Sequence, residues 1–258
     1  MSANKIRSKS LTKKLNWPAT IGILGGMGPE ATARFFELII KNTEAFRDQE
    51  HLKIIVLSYP QIPDRTEAIL RKGENPLPYL LEGHKLLEKA GARLIVIPCM
   101  TAHYFLPWLK KKSQAKFISL IEETAGWTKS SLTRIKKVGL LATEGTISTG
   151  LFQKAFKTKN IQVLIPSLSG QKKIMEAVYG KKGIKAGFIK GQPRRLLLSV
   201  AEELLEKGAE AIIAGCTEIP LALNQKDLPV PLIDPMVIGA RAIIIKAGGN
   251  LRETPYCS

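Results

Sequence analysis

A shift of 117 residues lays one half of this 258-residue chain on the other. Ile21-Gly22-Ile23-Leu24 falls on Val138-Gly139-Leu140-Leu141, and Gly28 falls on Gly145. Farther along, Gly91-Ala92-Arg93-Leu94-Ile95-Val96-Ile97-Pro98-Cys99 falls on Gly208-Ala209-Glu210-Ala211-Ile212-Ile213-Ala214-Gly215-Cys216. Cys99 lies 77 residues after Gly22, and Cys216 lies 77 after Gly139. Apolar strands alone do not bring a cysteine to the same register twice. The repeat therefore predicts two similar lobes, each with a cysteine at the carboxyl end of a strand.

The rest of the pattern says what the lobes are made of. Short β-branched runs occur at Thr20–Leu24, Lys53–Leu57, Leu94–Ile97, Phe117–Leu120, Val138–Ala142, Val163–Ile165, Ala211–Ala214 and Leu232–Ile233. Between them lie helix-length amphipathic stretches at Pro29–Lys41, Leu77–Lys89, Glu122–Ser131, Gly150–Lys157, Pro193–Lys207 and Pro235–Ala247. Strands alternating with 3.6-period segments indicate parallel βαβ units. The expected fold is α/β, with two Rossmann-like lobes related by a pseudo-twofold and parallel sheets in each. Residues 19–117 with 232–258 are assigned to lobe 1, residues 118–231 to lobe 2, and residues 1–18 to a basic N-terminal extension.

In open parallel sheets, ligands bind outside the carboxyl ends of the strands, near outward-facing backbone N–H groups. Two such lobes face to face would put both thiols in one cleft, on opposite sides of a small ligand. That arrangement suits a two-base proton transfer, in which one sulfur removes a proton from carbon and the other returns one to the opposite face. A free thiol has a pKa near 8.5 and needs help to act as a base at neutral pH. The alternative for either cysteine is a small buried residue at a strand end. The functional reading stands only if both sulfurs border one ligand-accessible crevice.

Charge and cysteine usage narrow the setting. Lys and Arg number 39 against 22 Asp and Glu, a net charge of +17, and residues 1–17 contribute five of those cations and no acid. The excess fits an anionic small substrate or a solvated basic surface. A nucleic-acid reader is disfavoured, because aromatics are 6% and neither an RNP-like nor a zinc-finger pattern occurs. Three cysteines, with Cys257 incidental near the terminus, exclude a disulfide scaffold and point to the reducing cytoplasm. No apolar run suggests a membrane span or a signal peptide. No metal-ligand spacing occurs among His, Cys and carboxylates. Gly25-Gly26-Met27-Gly28-Pro29 is not GxGxxG, and a turn offering N–H groups to a carboxylate fits it better than a nucleotide site.

An ordered set of motifs then becomes specific. Ile21 to Pro29, Pro60-Gln61-Ile62-Pro63-Asp64-Arg65-Thr66, Cys99-Met100-Thr101-Ala102-His103, Leu141-Ala142-Thr143 and Gly215-Cys216-Thr217-Glu218 resemble the aspartate/glutamate racemase family. Arg47-Asp48-Gln49-Glu50-His51 and Ile233-Asp234-Pro235 fit as well, particularly the archaeal-type aspartate racemases. The resemblance implies racemisation of a small anionic amino acid without pyridoxal phosphate or another cofactor, in a homodimer. It gives Cys99 and Cys216 the proton-shuttling role, and Arg65 and Lys185 the substrate carboxylates. A guanidinium can grip a carboxylate in two places at once. Met27, Gln61, Met100, Thr101, Thr143, Thr217 and Glu218 fall on positions that line the pocket.

Some assignments stay open at this level. Glu218 either receives the substrate ammonium or opens a helix, and Arg65 taken alone could equally form a surface ion pair. His103, four residues after Cys99, either tunes that thiol or enters the core. The sequence also departs from the family, which usually has Cys-Asn-Thr where Cys99-Met100-Thr101 stands. An amide offers donors and an acceptor, whereas a thioether is nearly mute. Aspartate turnover is thus expected to be weakened, redirected to another amino acid or, in a binding-only relative, absent.

Overall fold

The computed structural model describes residues 19–254, so the basic extension and Cys257 lie outside the described residues. All eight expected runs form strands: β1 (Ile21–Gly25), β2 (Ile54–Ser58), β3 (Leu94–Val96), β4 (Lys116–Ile118), β5 (Lys137–Leu141), β6 (Gln162–Leu164), β7 (Ile212–Ala214) and β8 (Leu232–Ile233). They build two four-stranded parallel sheets, ordered β2-β1-β3-β4 and β6-β5-β7-β8. The order is the same in both. The register repeats too, since Gly22 pairs with Ile95 and Gly139 with Ile212, each pair 117 residues from the other.

Six helices coincide with expected stretches: α1 (Pro29–Asn42), α3 (Leu77–Lys89), α5 (Leu120–Ser131), α7 (Leu151–Lys157), α9 (Gln192–Glu206) and α11 (Pro235–Ala247). Five shorter or less regular ones join them: α2 (Arg65–Ile69), α4 (Leu106–Lys112), α6 (Glu144–Thr149), α8 (Leu168–Tyr179) and α10 (Ile219–Ala222). The run expected to end in strand at Leu120 breaks earlier. Ser119 caps α5 by accepting a hydrogen bond from the N–H of Glu122, so Leu120 already belongs to the helix. Asp234 does the same for α11 through Met236, and Asp64 for α2 through Glu67.

Alternation along β1 assigns the layers. Ile21 and Ile23 sit in a core shared with α1, whereas Leu24 joins Leu80 and Leu87 of α3 on the opposite face. The shared core continues across both lobes. It takes in Phe35 and Leu38 of α1, Ile121 of α5, Phe152 and Phe156 of α7, and Ile243 and Ile244 of α11. Helix α5, which follows the first sheet, packs on α7 of the second lobe, and α11, which follows the second sheet, packs on α1 of the first. The expected boundaries need two adjustments on pairing grounds. Leu232–Ile233 hydrogen-bond to β7 and so belong to the second sheet, while Ile118 pairs with Val96 in the first.

The turn after β1 is tightly built. Gly26 has φ +91°, its N–H donates to Thr32 Oγ1 at 2.8 Å, and a side chain there would run into the backbone of Tyr59 and Pro60. Gly26→Ala is expected to cost at least about 1–3 kcal/mol from its left-handed backbone alone. The measurement is the urea midpoint, which should fall without a change in slope; an unchanged midpoint would show that this turn is not constrained.

Candidate active site

β3 and β7 are equivalent strands of the repeat, and the chain bends sharply after each. Past β3 the N–H of Cys99 donates to the carbonyl of Ile97, and past β7 the N–H of Gly215 donates to Leu141 and Ile213. These bends bring both thiols, free and buried, to one cavity between the lobes. Met27, Arg65, Met100, Thr101, Thr143, Lys185, Thr217 and Glu218, all named above from the family resemblance, line it with them. Gln61 does not. It is exposed on the Pro60–Pro63 loop, where Ile62 turns inward instead.

The Cys216 wall is organised by Glu218. This buried carboxylate accepts hydrogen bonds from Lys185 Nζ at 2.7 Å, Cys216 Sγ at 2.9 Å and Thr217 Oγ1 at 3.0 Å. Lys185 holds Glu218 below the usual carboxylate range despite the burial that works against it, so Glu218 is ionised. Burial pushes the Cys216 thiol well above its ordinary pKa, and the adjacent Glu218 charge adds to that. Cys216 therefore stands as a protonated thiol that points its hydrogen at Glu218. Although Glu218 precedes α10, its side chain makes no capping bond and turns into the cavity.

The Cys99 wall differs. Arg65 is buried and forms no ion pair among the described residues. Its Nη1 donates to the carbonyls of Ile62 and Pro63, and its Nη2 to that of Met27. Burial opposes its charge, but Cys99, Asp64 and Tyr179 outweigh that and raise its pKa. Arg65 Nε has no hydrogen-bond partner. A buried donor left open costs about 1–3 kcal/mol, which a ligand oxygen would recover.

His103 resolves toward the core. Its Nδ1 donates to the Cys99 carbonyl at 2.9 Å, and its Nε2 accepts from the N–H of Leu120 at 3.0 Å. Burial drives its pKa down to about 4, so the ring is neutral near pH 7. It fixes the backbone that carries Cys99 rather than touching the sulfur.

Two residues escaped sequence reading. Tyr179, at the end of α8, lines the cavity, donates its hydroxyl hydrogen to Asp64 Oδ2 across the lobes at 3.0 Å, and lies with its ring centroid 5.5 Å from Lys185 Nζ. Thr146 bonds Thr101 across the lobes at 2.7 Å, and Thr143 lies within 3.3 Å of both. Its three-residue spacing from Thr143 was the available signal. Met100 belongs to the inter-lobe core as well as to the cavity wall, so an apolar side chain closes this side.

The cavity as closed is about 10 Å³, room for roughly one water. It adjoins an outer cleft of about 380 Å³, and Met27, Arg65, Lys185 and Glu218 line both. An amino acid therefore reaches the two sulfurs only when these side chains or the lobes move apart. Among the described residues no group of three or more His, Cys, Asp or Glu is arranged to hold a metal ion, and no helix is long and apolar enough to cross a membrane.

Known proteins share the sequence pattern and the fold. The family model described as Asp/Glu/Hydantoin racemase matches residues 24–243. The structure of an aspartate racemase from Picrophilus torridus superposes with a TM-score of 0.78 at 31% identity, over 91% of this chain and 96% of that one. A broad specificity amino-acid racemase of Bacillus subtilis is 27% identical over 87% of this chain and 96% of its own length. A glutamate racemase from Francisella tularensis, at 19% identity and a TM-score of 0.60, shares the fold over 90% of this chain and 82% of its own.

Glu218→Gln removes the charge that helps hold the proton on Cys216. Alkylation of Cys216 by iodoacetamide, followed peptide by peptide against pH, should then reach its midpoint at lower pH than in the wild type. An unmoved or higher midpoint would mean that Glu218 does not govern this thiol.

Proposed function

We propose that this chain, which belongs to the Asp/Glu/hydantoin racemase family and is thus an isomerase of the racemase class, interconverts the enantiomers of an acidic amino acid by passing protons between Cys99 and Cys216. The observation that carries the reading is that both sulfurs line one cavity whose charged walls are Arg65, Lys185 and Glu218.

Chemically, the sulfur on one side, as thiolate, takes the Cα proton while the thiol opposite donates its own to the other face. The Cα–H bond breaks on one face, a new one forms on the other, and each cysteine ends in the protonation state its partner began with. The negative charge that develops beside the carboxylate needs fixed positive charge, which Arg65 and Lys185 supply in a site closed to bulk water. Arg65 Nε is the open donor for a carboxylate oxygen, and Glu218 is placed to receive the ammonium in exchange for Lys185. Among the lining side chains the two cations Arg65 and Lys185 face one carboxylate, Glu218. The remaining positive charge complements an amino dicarboxylate such as aspartate or glutamate.

One observation favours a second, broader substrate range. Met100 offers nothing to a polar group, and the Bacillus subtilis relative is named for broad specificity. Amino acids with less polar side chains are the substrates of that reading. The setting we propose is the cytoplasm, where two unpaired thiols stay reduced, with the homodimer that the resemblance implies.

The test is incorporation of solvent deuterium at Cα across a panel of D- and L-amino acids, acidic ones first. Exchange is expected with both enantiomers, and Cys99→Ala or Cys216→Ala should each lower racemisation by about 10²–10⁴-fold with the fold retained. Met100→Asn should shift preference toward aspartate by about tenfold or more, the worth of one restored polar partner. Racemisation indifferent to both cysteines would remove the proposal.

A further inference from the structure

We infer a second small-molecule site, for an organic anion with an apolar body, in a cavity that shares no residue with the cysteine cleft. The cavity is about 700 Å³ and lies between α4, α5 and α7. That size is in the range of ligand pockets. Its wall is apolar where Leu106, Ile121 and Leu151 contribute, and cationic where Lys110, Lys154 and Lys159 do. Among the described residues none of these three lysines forms an ion pair, and Glu122 is the cavity's lone carboxylate against them.

The internal repeat supplies the control. A matching cavity of about 570 Å³ lies between α1, α10 and α11. At the 117-residue shift its Arg34, Pro220 and Leu223 fall on Leu151, His103 and Leu106 of the first. In that second cavity one of the three cations carries its own counter-ion, since Arg34 Nη2 contacts Asp234 Oδ2 at 2.8 Å, while Lys226 and Arg241 form no ion pair among the described residues. Asp234 is the N-cap of α11, and the residue in its place at the N-cap of α5 is Ser119, which is neutral and lines the first cavity. Each cavity holds three cations and one carboxylate, but in the first the carboxylate, Glu122, pairs with none of the lysines among the described residues, so an anion from outside completes it. His103, whose ring holds the Cys99 carbonyl, borders the cavity.

Phenyl phosphate is a suitable probe because it joins a dianion to a small apolar ring. Calorimetric titration of the full chain should show saturable binding that weakens as salt is raised. Ser119→Asp, which keeps the helix cap and supplies the anion found in the sister cavity, should weaken binding at least tenfold. Lys110→Ala with Lys154→Ala should do likewise. Protein alkylated at Cys99 and Cys216 should bind the probe as before, and inorganic phosphate should bind at least tenfold more weakly. The inference is overturned if the wild type shows no saturable binding or if both variants bind unchanged. It is equally overturned if alkylation abolishes binding, or if inorganic phosphate binds as tightly. None of these readouts depends on racemisation, so failure here and failure of the proposed function are separate results.

Discussion

Helices α5 and α11 each leave their own sheet and pack on a helix of the other lobe, α5 on α7 and α11 on α1, and this exchanged core fixes how the two sheets face each other. Every feature of the cleft is set by that relation. Because the sheets have the same strand order and register, equivalent strands β3 and β7 present equivalent ends to the space between them. A cysteine placed just beyond each end is brought to a common cavity by symmetry. No long-range coincidence is required.

Within this symmetric frame the two thiols are held by different chemistry. Cys216 gives its hydrogen to an ionised, buried Glu218 that is itself paired with Lys185. Cys99 sits beside Arg65, on a backbone pinned by a neutral histidine. The near-duplicate walls are thus unlike in charge, as a site must be if it is to hold a proton on one side and accept one on the other. Contacts such as Tyr179 to Asp64 and Thr101 to Thr146 join the lobes directly at the rim of the cleft. They hold it shut around a space too small for any amino acid, so widening of the cleft belongs to binding.

Much of this was legible in the sequence because the repeat carried it. Eight strands, six of the helices and the two cysteines follow from runs of β-branched residues and from the repeat, and eight more lining side chains from the resemblance to the racemase family. What was hidden is local or asymmetric. Helices α2, α6 and α10 have five, six and four residues, too few to show a period, and Gly150 at φ +64° separates α6 from α7, leaving α6 outside the expected stretch that begins at Gly150. Tyr179 has no partner of its kind in the first repeat, where Ile62 occupies the shifted position, so nothing in the pattern marked it. Gln61 sits in a matched motif but on the outward side of a proline-bounded loop, which only the backbone path decides.

The central claim is that one ligand meets both sulfurs. Iodoacetamide labelling resolved by peptide, with increasing D- or L-aspartate, measures this without relying on turnover. Protection of Cys99 and Cys216 together, along one ligand-concentration curve, is the result the account predicts; protection of only one of them, or of neither at concentrations where aspartate binds, would contradict it.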